Sequence, residues 1–202
     1  MVQKKFDTRS LVLLSVLCAI LLAMSFTPLG YLTIGPLAIS LNMIPVAIAA
    51  VALGPIEAAI LGGIFGITSF LQCLGIGGTS PMGVILFEIN PLMAFVQRFV
   101  PRVLAGLLSG LAYRGIRRLA GHSLASFITG FCAALLNTVL FMLALVLLFG
   151  STEYLQNLIA GRNIIVFICA FVGINAAVEM AAATFAVGAV GVALNKAKQI
   201  RR

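Results

Sequence analysis

The sequence predicts an all-α membrane protein with six transmembrane helices, folded as a single domain over residues 1–202. Three observations carry that expectation. First, 62% of the residues are hydrophobic and only 9% are charged, against about 25% charged in an ordinary soluble domain; the mean hydropathy is +1.19. Second, charge is missing over long stretches: 47 consecutive positions from Ser10 to Ile56, and 30 each from Ala58 to Phe87 and from Ser123 to Thr152. A bilayer core of about 30 Å takes roughly 20 helical residues to cross. Third, these runs do not alternate apolar and polar residues, as barrel strands do, so helices are left to satisfy the backbone in lipid.

The elements follow in order. Span one runs about Ser10 to Phe26 and ends at Thr27-Pro28-Leu29-Gly30, which is turn chemistry. Its basic start and apolar middle resemble a signal peptide, but the run is too long and leads directly into more apolar sequence, so it reads as a retained helix. Tyr31 to Ser40 is an uncharged loop containing Gly35-Pro36. Span two, about Leu41 to Leu53, is short and stops at Gly54-Pro55. Span three, about Ile56 to Leu71, carries Gly62, Gly63 and Gly66, which permit close helix contact. Gln72 to Val100 reads as a long structured loop, with room for a short helix over Met82 to Phe87; loops of that length are uncommon unless functional. Span four opens at Pro101, where a first-turn proline loses nothing, and ends near Arg114, Arg117 and Arg118. Span five is about Ser123 to Phe149, and span six about Asn163 to Asn195.

The net charge of +8 does not point to nucleic acid. Ten of the 13 basic residues fall in three clusters beside apolar spans: Lys4, Lys5 and Arg9; Arg114, Arg117 and Arg118; Lys196, Lys198, Arg201 and Arg202. With both termini cytoplasmic in a plasma membrane, six spans put all three clusters inside, as the positive-inside rule requires. The loops Tyr31–Ser40 and Gln72–Val100 then lie outside. Cys18, Cys73, Cys132 and Cys169 show no paired spacing and read as small apolar residues. With one histidine in the chain, no metal or other cofactor is expected.

Polar groups within spans are expensive and usually functional. The candidates are Arg98 and Arg102 at the outer end of span four, Asn137 in span five, and Asn175 and Glu179, four apart on one face of span six; Gln97 and Asn90 join them. Such a set suits a ligand bearing a carboxylate and hydroxyls. The alternative is a purely structural Arg–Glu pair with asparagine bridging. Ser15, Ala19 and Ala23 form a small-residue stripe on span one, suited either to internal packing or to docking another membrane protein. Enzyme constellations are missing. Gly75-Ile76-Gly77-Gly78 lacks the lysine of a phosphate loop, and His122 reads as a solvated residue of the cytoplasmic connection.

Several stretches, in order along nearly the whole chain, resemble the substrate-binding (S) components of energy-coupling factor (ECF) vitamin transporters. They are Ile39-Ser-Leu-Asn-Met-Ile-Pro-Val-Ala-Ile48, Leu53-Gly54-Pro55, Gly62-Gly-Ile-Phe-Gly-Ile-Thr-Ser69, Val100-Pro-Arg-Val-Leu-Ala-Gly-Leu-Leu-Ser-Gly110, Leu136-Asn137-Thr138 and Asn175 with Glu179. Pantothenate-type members are the most similar. The resemblance implies an S-component-like bundle that captures its vitamin from outside through spans four to six. It also implies docking, through the alanine face of span one, on a transmembrane coupling protein driven by two cytoplasmic ATPase subunits. Aromatic residues make up 8% of the chain and Trp is absent, which disfavours a flavin. Two other classes compete: a membrane scaffold like the rod-shape protein MreD, which need not retain the buried polar set, and an autonomous secondary transporter, whose usual internal repeat is not visible here.

Overall fold

The computed structural model describes residues 8–27, 30–33, 38–78, 80–161 and 163–200. Within them the chain forms α1 (Thr8–Ser25), a hairpin of β1 (Tyr31–Thr33) and β2 (Ala38–Ser40), α2 (Met43–Ala52), α3 (Pro55–Leu71), a 3-10 turn (Gln72–Leu74), α4 (Pro81–Ile89), α5 (Pro91–Phe149), α6 (Glu153–Ile159) and α7 (Ile164–Ile200). Four helical stretches are long and apolar enough to cross a membrane: Thr8–Ser25, Pro55–Leu74, Pro91–Phe149 and Asn175–Ala197; Met43–Ala52 is a shorter apolar helix. The fold is therefore an all-α bundle with one small hairpin. Apolar side chains cover its outside as well as its inside. Val12, Val16 and Ile20 of α1 are exposed while Leu17 and Leu21 of the same helix are buried, as a membrane helix requires.

Two glycines shape the turns at one end. Gly54, at φ 135°, lets α3 start after only two residues beyond the end of α2, with Pro55 at the first helical position. Gly121, at φ 73° and ψ 175°, breaks α5 into segments 91–120 and 122–149. Each segment is long enough by itself to cross about 30 Å of hydrocarbon. Neither backbone conformation is open to an ordinary L-residue without strain.

α5 is the hub, packing against α2, α3, α4 and α7. Its first half runs antiparallel to α3 at backbone contact. A Cβ on Gly62 would collide with the Arg102 carbonyl, one on Gly106 with the Ala58 carbonyl, and one on Gly110 with the backbone of Pro55. In lipid, where apolar burial gives little net drive, such close approach is what holds helices together. Two apolar clusters result. One joins Leu17 and Leu21 to α2, Leu61, Phe65, Ala105, Ala133 and Val187; the other joins Leu86, Ala94, Met142, Leu145 and Phe149 to α6.

Three expectations are corrected. Tyr31–Ser40 is not only a loop: Tyr31 pairs with Ser40, Leu32 with Ile39 and Thr33 with Ala38, while Gly35 and Pro36 lie outside the described residues. Gln72–Val100 is mostly helical, because Ser80-Pro81 and Asn90-Pro91 are N-cap and first-position pairs rather than loop punctuation. Ser80 accepts from the Gly83 N–H at 3.3 Å and Asn90 from the Met93 N–H at 3.0 Å. Pro101 consequently lies inside α5, not at its start. Interior proline is tolerated in bundles whose neighbouring groups compensate the broken ladder. The helix α6 was not anticipated.

The α3–α5 contact generates a paired prediction. Gly106→Leu should lower the detergent-solubilised melting temperature by several degrees, since overpacking costs about 1–3 kcal/mol or more. Gly115→Ala, where nothing lies within 4 Å, should leave it unchanged or raise it slightly. Differential scanning fluorimetry reads both.

Candidate functional site

Between the two apolar clusters lies a buried polar constellation built mainly on α5 and α7. Because α5 begins before Pro101, Arg98 and Arg102 stand one turn apart on the same face, each only 5% exposed. The Arg98 guanidinium donates to Ser69 Oγ of α3 and Ser80 Oγ, both at 3.1 Å. Gly83 of α4 makes room for it: a Cβ there would stand 2.7 Å from Arg98 Nη2. Arg102 Nη1 donates to the Arg98 carbonyl at 2.6 Å, beside the proline-interrupted stretch of the helix. Its guanidinium carbon lies 4.5 Å from the centroid of Phe65 and 5.1 Å from that of Phe141; Arg98 lies 5.5 Å from the Phe141 centroid. Phe65 belongs to the first apolar cluster and Phe141 packs on the second. The two cations are thus wedged where the clusters meet, against aromatic faces that attract them.

Glu179 of α7 is 8% exposed and within electrostatic reach of Arg102. Its Oε1 accepts the backbone N–H of Ser40 at 2.6 Å, which ties the end of the hairpin to the site. Asn175, one turn earlier, and Asn137 of α5 are also buried. Among the described residues, the Gln97 amide, fully buried, has no hydrogen-bond partner on either side-chain atom, nor has the Asn42 amide, nor Asn137 Oδ1. Each such group costs about 1–3 kcal/mol if left unsatisfied. The charge is also unbalanced. Among the described residues, Arg98 and Arg102 share this part of the bundle with one buried carboxylate, Glu179, since Glu57 stands at the other end of α3 near Arg114, and Glu88 and Glu153 are exposed. A buried excess of positive charge with amides around it fits a small anion bearing hydrogen-bonding groups.

Of the sequence-derived set, Arg98, Arg102, Gln97, Asn137, Asn175 and Glu179 are all buried in this bundle. Asn90 is not drawn in: its side chain caps α5, about 12 Å along the helix from Arg98 at 1.5 Å per residue. Sequence reasoning missed Phe65, Phe141, Ser69, Ser80 and the Ser40 N–H. Phe141 carried a usable signal, being four residues beyond Asn137 on the same face. Ser15, Ala19 and Ala23 are exposed on the outward side of α1, away from the bundle formed by the described residues. No cluster of three or more His, Cys, Asp or Glu exists among the described residues.

Comparison with known proteins places the chain in a family. A family model described as "ECF transporter, substrate-specific component" matches residues 9–190. The pantothenate transporter PanT of Leuconostoc mesenteroides is 30% identical over 194 residues, covering 91% of each chain. The pantothenic acid transporter PanT of Lactococcus lactis subsp. cremoris is 26% identical over 176 residues, covering 79% of this chain and 86% of that protein. This multi-pass membrane protein belongs to the family of substrate-specific components of ECF transporters.

Proposed function

We propose that the chain is the membrane-embedded, non-enzymatic substrate-binding subunit of an ATP-driven vitamin importer, and that its ligand is pantothenate. The observation that carries this reading is the buried Arg98–Arg102 pair, which among the described residues has one buried carboxylate, Glu179, in its part of the bundle. Pantothenate offers a carboxylate for the guanidinium groups and an amide and hydroxyls for Gln97, Asn137, Asn175 and Glu179. Two relatives named for pantothenate transport support the same choice. A scaffold protein has no use for unbalanced buried charge, which costs stability unless something compensates it.

The reading includes six crossings in one domain: α1, α2, α3, the two halves of α5, and α7. Both termini are then cytoplasmic, with the hairpin, α4 and α6 outside. Supporting this, the start of α1, the Gly54 turn, Arg114 and Arg117, and the end of α7 converge at one end of the bundle, opposite the Arg102–Glu179 site. Ligand enters from the outside. Delivery depends on a transmembrane coupling protein with two cytoplasmic ATPase subunits, which docks on the outward Ser15, Ala19 and Ala23 stripe.

Three measurements test these statements. In a cysteine-free background, Ser151→Cys should react with a membrane-impermeant maleimide on intact cells, and Ser123→Cys only after permeabilisation; the reverse pattern removes the orientation. Titration calorimetry of Arg102→Ala with pantothenate should show affinity weakened roughly tenfold to over a hundredfold, the cost of a lost charge-assisted bond. Arg102→Lys should recover part of that, since an ammonium does not reproduce the guanidinium fork. Unchanged affinity, or tight binding of thiamine or riboflavin, means another ligand. Finally, replacing Ala19 and Ala23 together by Trp should prevent copurification of the coupling protein and ATPases while pantothenate still binds; an intact assembly refutes the docking stripe.

A further inference from the structure

At the end of the bundle away from the Arg102–Glu179 site, a cavity of about 330 Å³ opens between α1, α2, α5 and α7. Its lining differs in chemistry by element. Leu13 of α1, Val51 of α2 and Leu194 of α7 are apolar, while α5 contributes Arg114, Arg117 and His122, the last next to the Gly121 break. His122 is not the solvated loop residue that the sequence suggested. The Gly121 turn folds it back until its Nδ1 lies 2.9 Å from the Tyr113 hydroxyl, and Arg117 acts electrostatically on the same tyrosine. One carboxylate reaches the rim: Glu57 Oε2 and Arg114 Nη2 lie 3.2 and 3.3 Å from the point a Cβ on Gly54 would occupy. Glu57 therefore offsets part of Arg114's charge, while Arg117 adds a second guanidinium, so the rim keeps a net positive charge among the described residues. The apolar side is continuous with the outer face of α1, where Leu11, Val12 and Val16 are exposed.

We propose that this cavity holds the phosphate of an anionic phospholipid of the inner leaflet. Arg114 and Arg117 grip the phosphate oxygens, and the Leu13 side receives the glycerol and the first acyl carbons. Basic recesses between membrane helices on the cytoplasmic side suit such headgroups, and guanidinium matches phosphate bidentately. Inorganic phosphate would satisfy the cationic side equally, but it has no use for an apolar wall that runs on into the lipid-facing surface of α1. Assignment to the inner leaflet rests on the orientation proposed above. Binding measured in detergent does not, so its failure leaves the orientation and the vitamin site standing.

The test is native mass spectrometry of the delipidated full chain in detergent, titrated separately with phosphatidylglycerol, phosphatidylcholine and inorganic phosphate. Phosphatidylglycerol should bind at least about tenfold more tightly than phosphatidylcholine. The double variant Arg114→Gln, Arg117→Gln should lose about thirtyfold in phosphatidylglycerol affinity, as expected for two basic residues against an anionic lipid. Arg118→Gln, on a residue outside the cavity, should cost far less than the double variant. Leu13→Trp fills the apolar side without touching charge and should weaken the lipid as well, which keeps the test open if the double variant folds poorly. A loss in Arg118→Gln equal to that of the double variant, or equal binding of the two lipids, overturns the site. Displacement of phosphatidylglycerol by an equal concentration of inorganic phosphate overturns the lipid assignment in favour of a soluble anion.

Discussion

Burying Arg98 and Arg102 on one face of a membrane helix imposes a demand that much of that half of the bundle is arranged to meet. A guanidinium at the centre of a bilayer costs several kcal/mol unless its donors and charge are answered. Ser69, Ser80 and the Arg98 carbonyl answer the donors, and Phe65 and Phe141 present ring faces to the charge. Glu179 answers only part of the charge, and it is itself held by the Ser40 N–H. These groups come from α3, the α4 N-cap, α5, α7 and the hairpin, so elements distant in sequence are fixed relative to one another by the same two side chains.

Close backbone contact makes that arrangement possible. Gly62 and Gly66 bring α3 against the stretch of α5 that carries Arg98, Phe99 and Arg102, so the helix backbones meet just where the arginines turn away toward Ser69 and Phe65. Larger residues there would push α3 outward and carry Ser69 and Phe65 with it. The same antiparallel contact, continued by Gly106 and Gly110, sets the opposite end, where Glu57 of α3 comes near Arg114 of α5. One helix pair therefore organises a polar cluster at each end, and the sign of the surplus is positive at both.

The sequence made these members of the site legible because a charged or amide side chain within an apolar span is expensive and conspicuous. Arg98, Arg102, Asn137, Asn175 and Glu179 could be named on that ground alone. Their neutral partners could not: a serine or phenylalanine in a membrane helix is ordinary, and the Ser40 N–H belongs to the backbone. The spans were legible where charge was absent or confined to the first turn, as in α1, α3 and the second half of α5. They were misread around residues 72–101, because proline both ends and begins helices. Pro81 and Pro91 begin them here, each preceded by a capping Ser or Asn, while Pro101 does neither. The hairpin Tyr31–Ser40 escaped because three-residue strands leave no periodicity to count.

The aromatic inventory argues further about what the proposed site selects. The rings nearest the arginines, Phe65 and Phe141, already have a guanidinium over their faces. Phe70, Phe87, Phe95 and Phe99 are engaged with one another in a chain of ring contacts with centroids 5.2–5.9 Å apart. Tryptophan is absent from the chain. A flat heteroaromatic ligand gains its affinity largely by stacking on an open ring face, and here those faces are spoken for. What remains is the positive charge of the arginines, with the unpartnered amide atoms of Gln97 and Asn137 buried on the same helix α5. A flexible acid with amide and hydroxyl groups uses every one of those features, whereas a cationic or flat-ring vitamin would have to displace a guanidinium from its phenylalanine first.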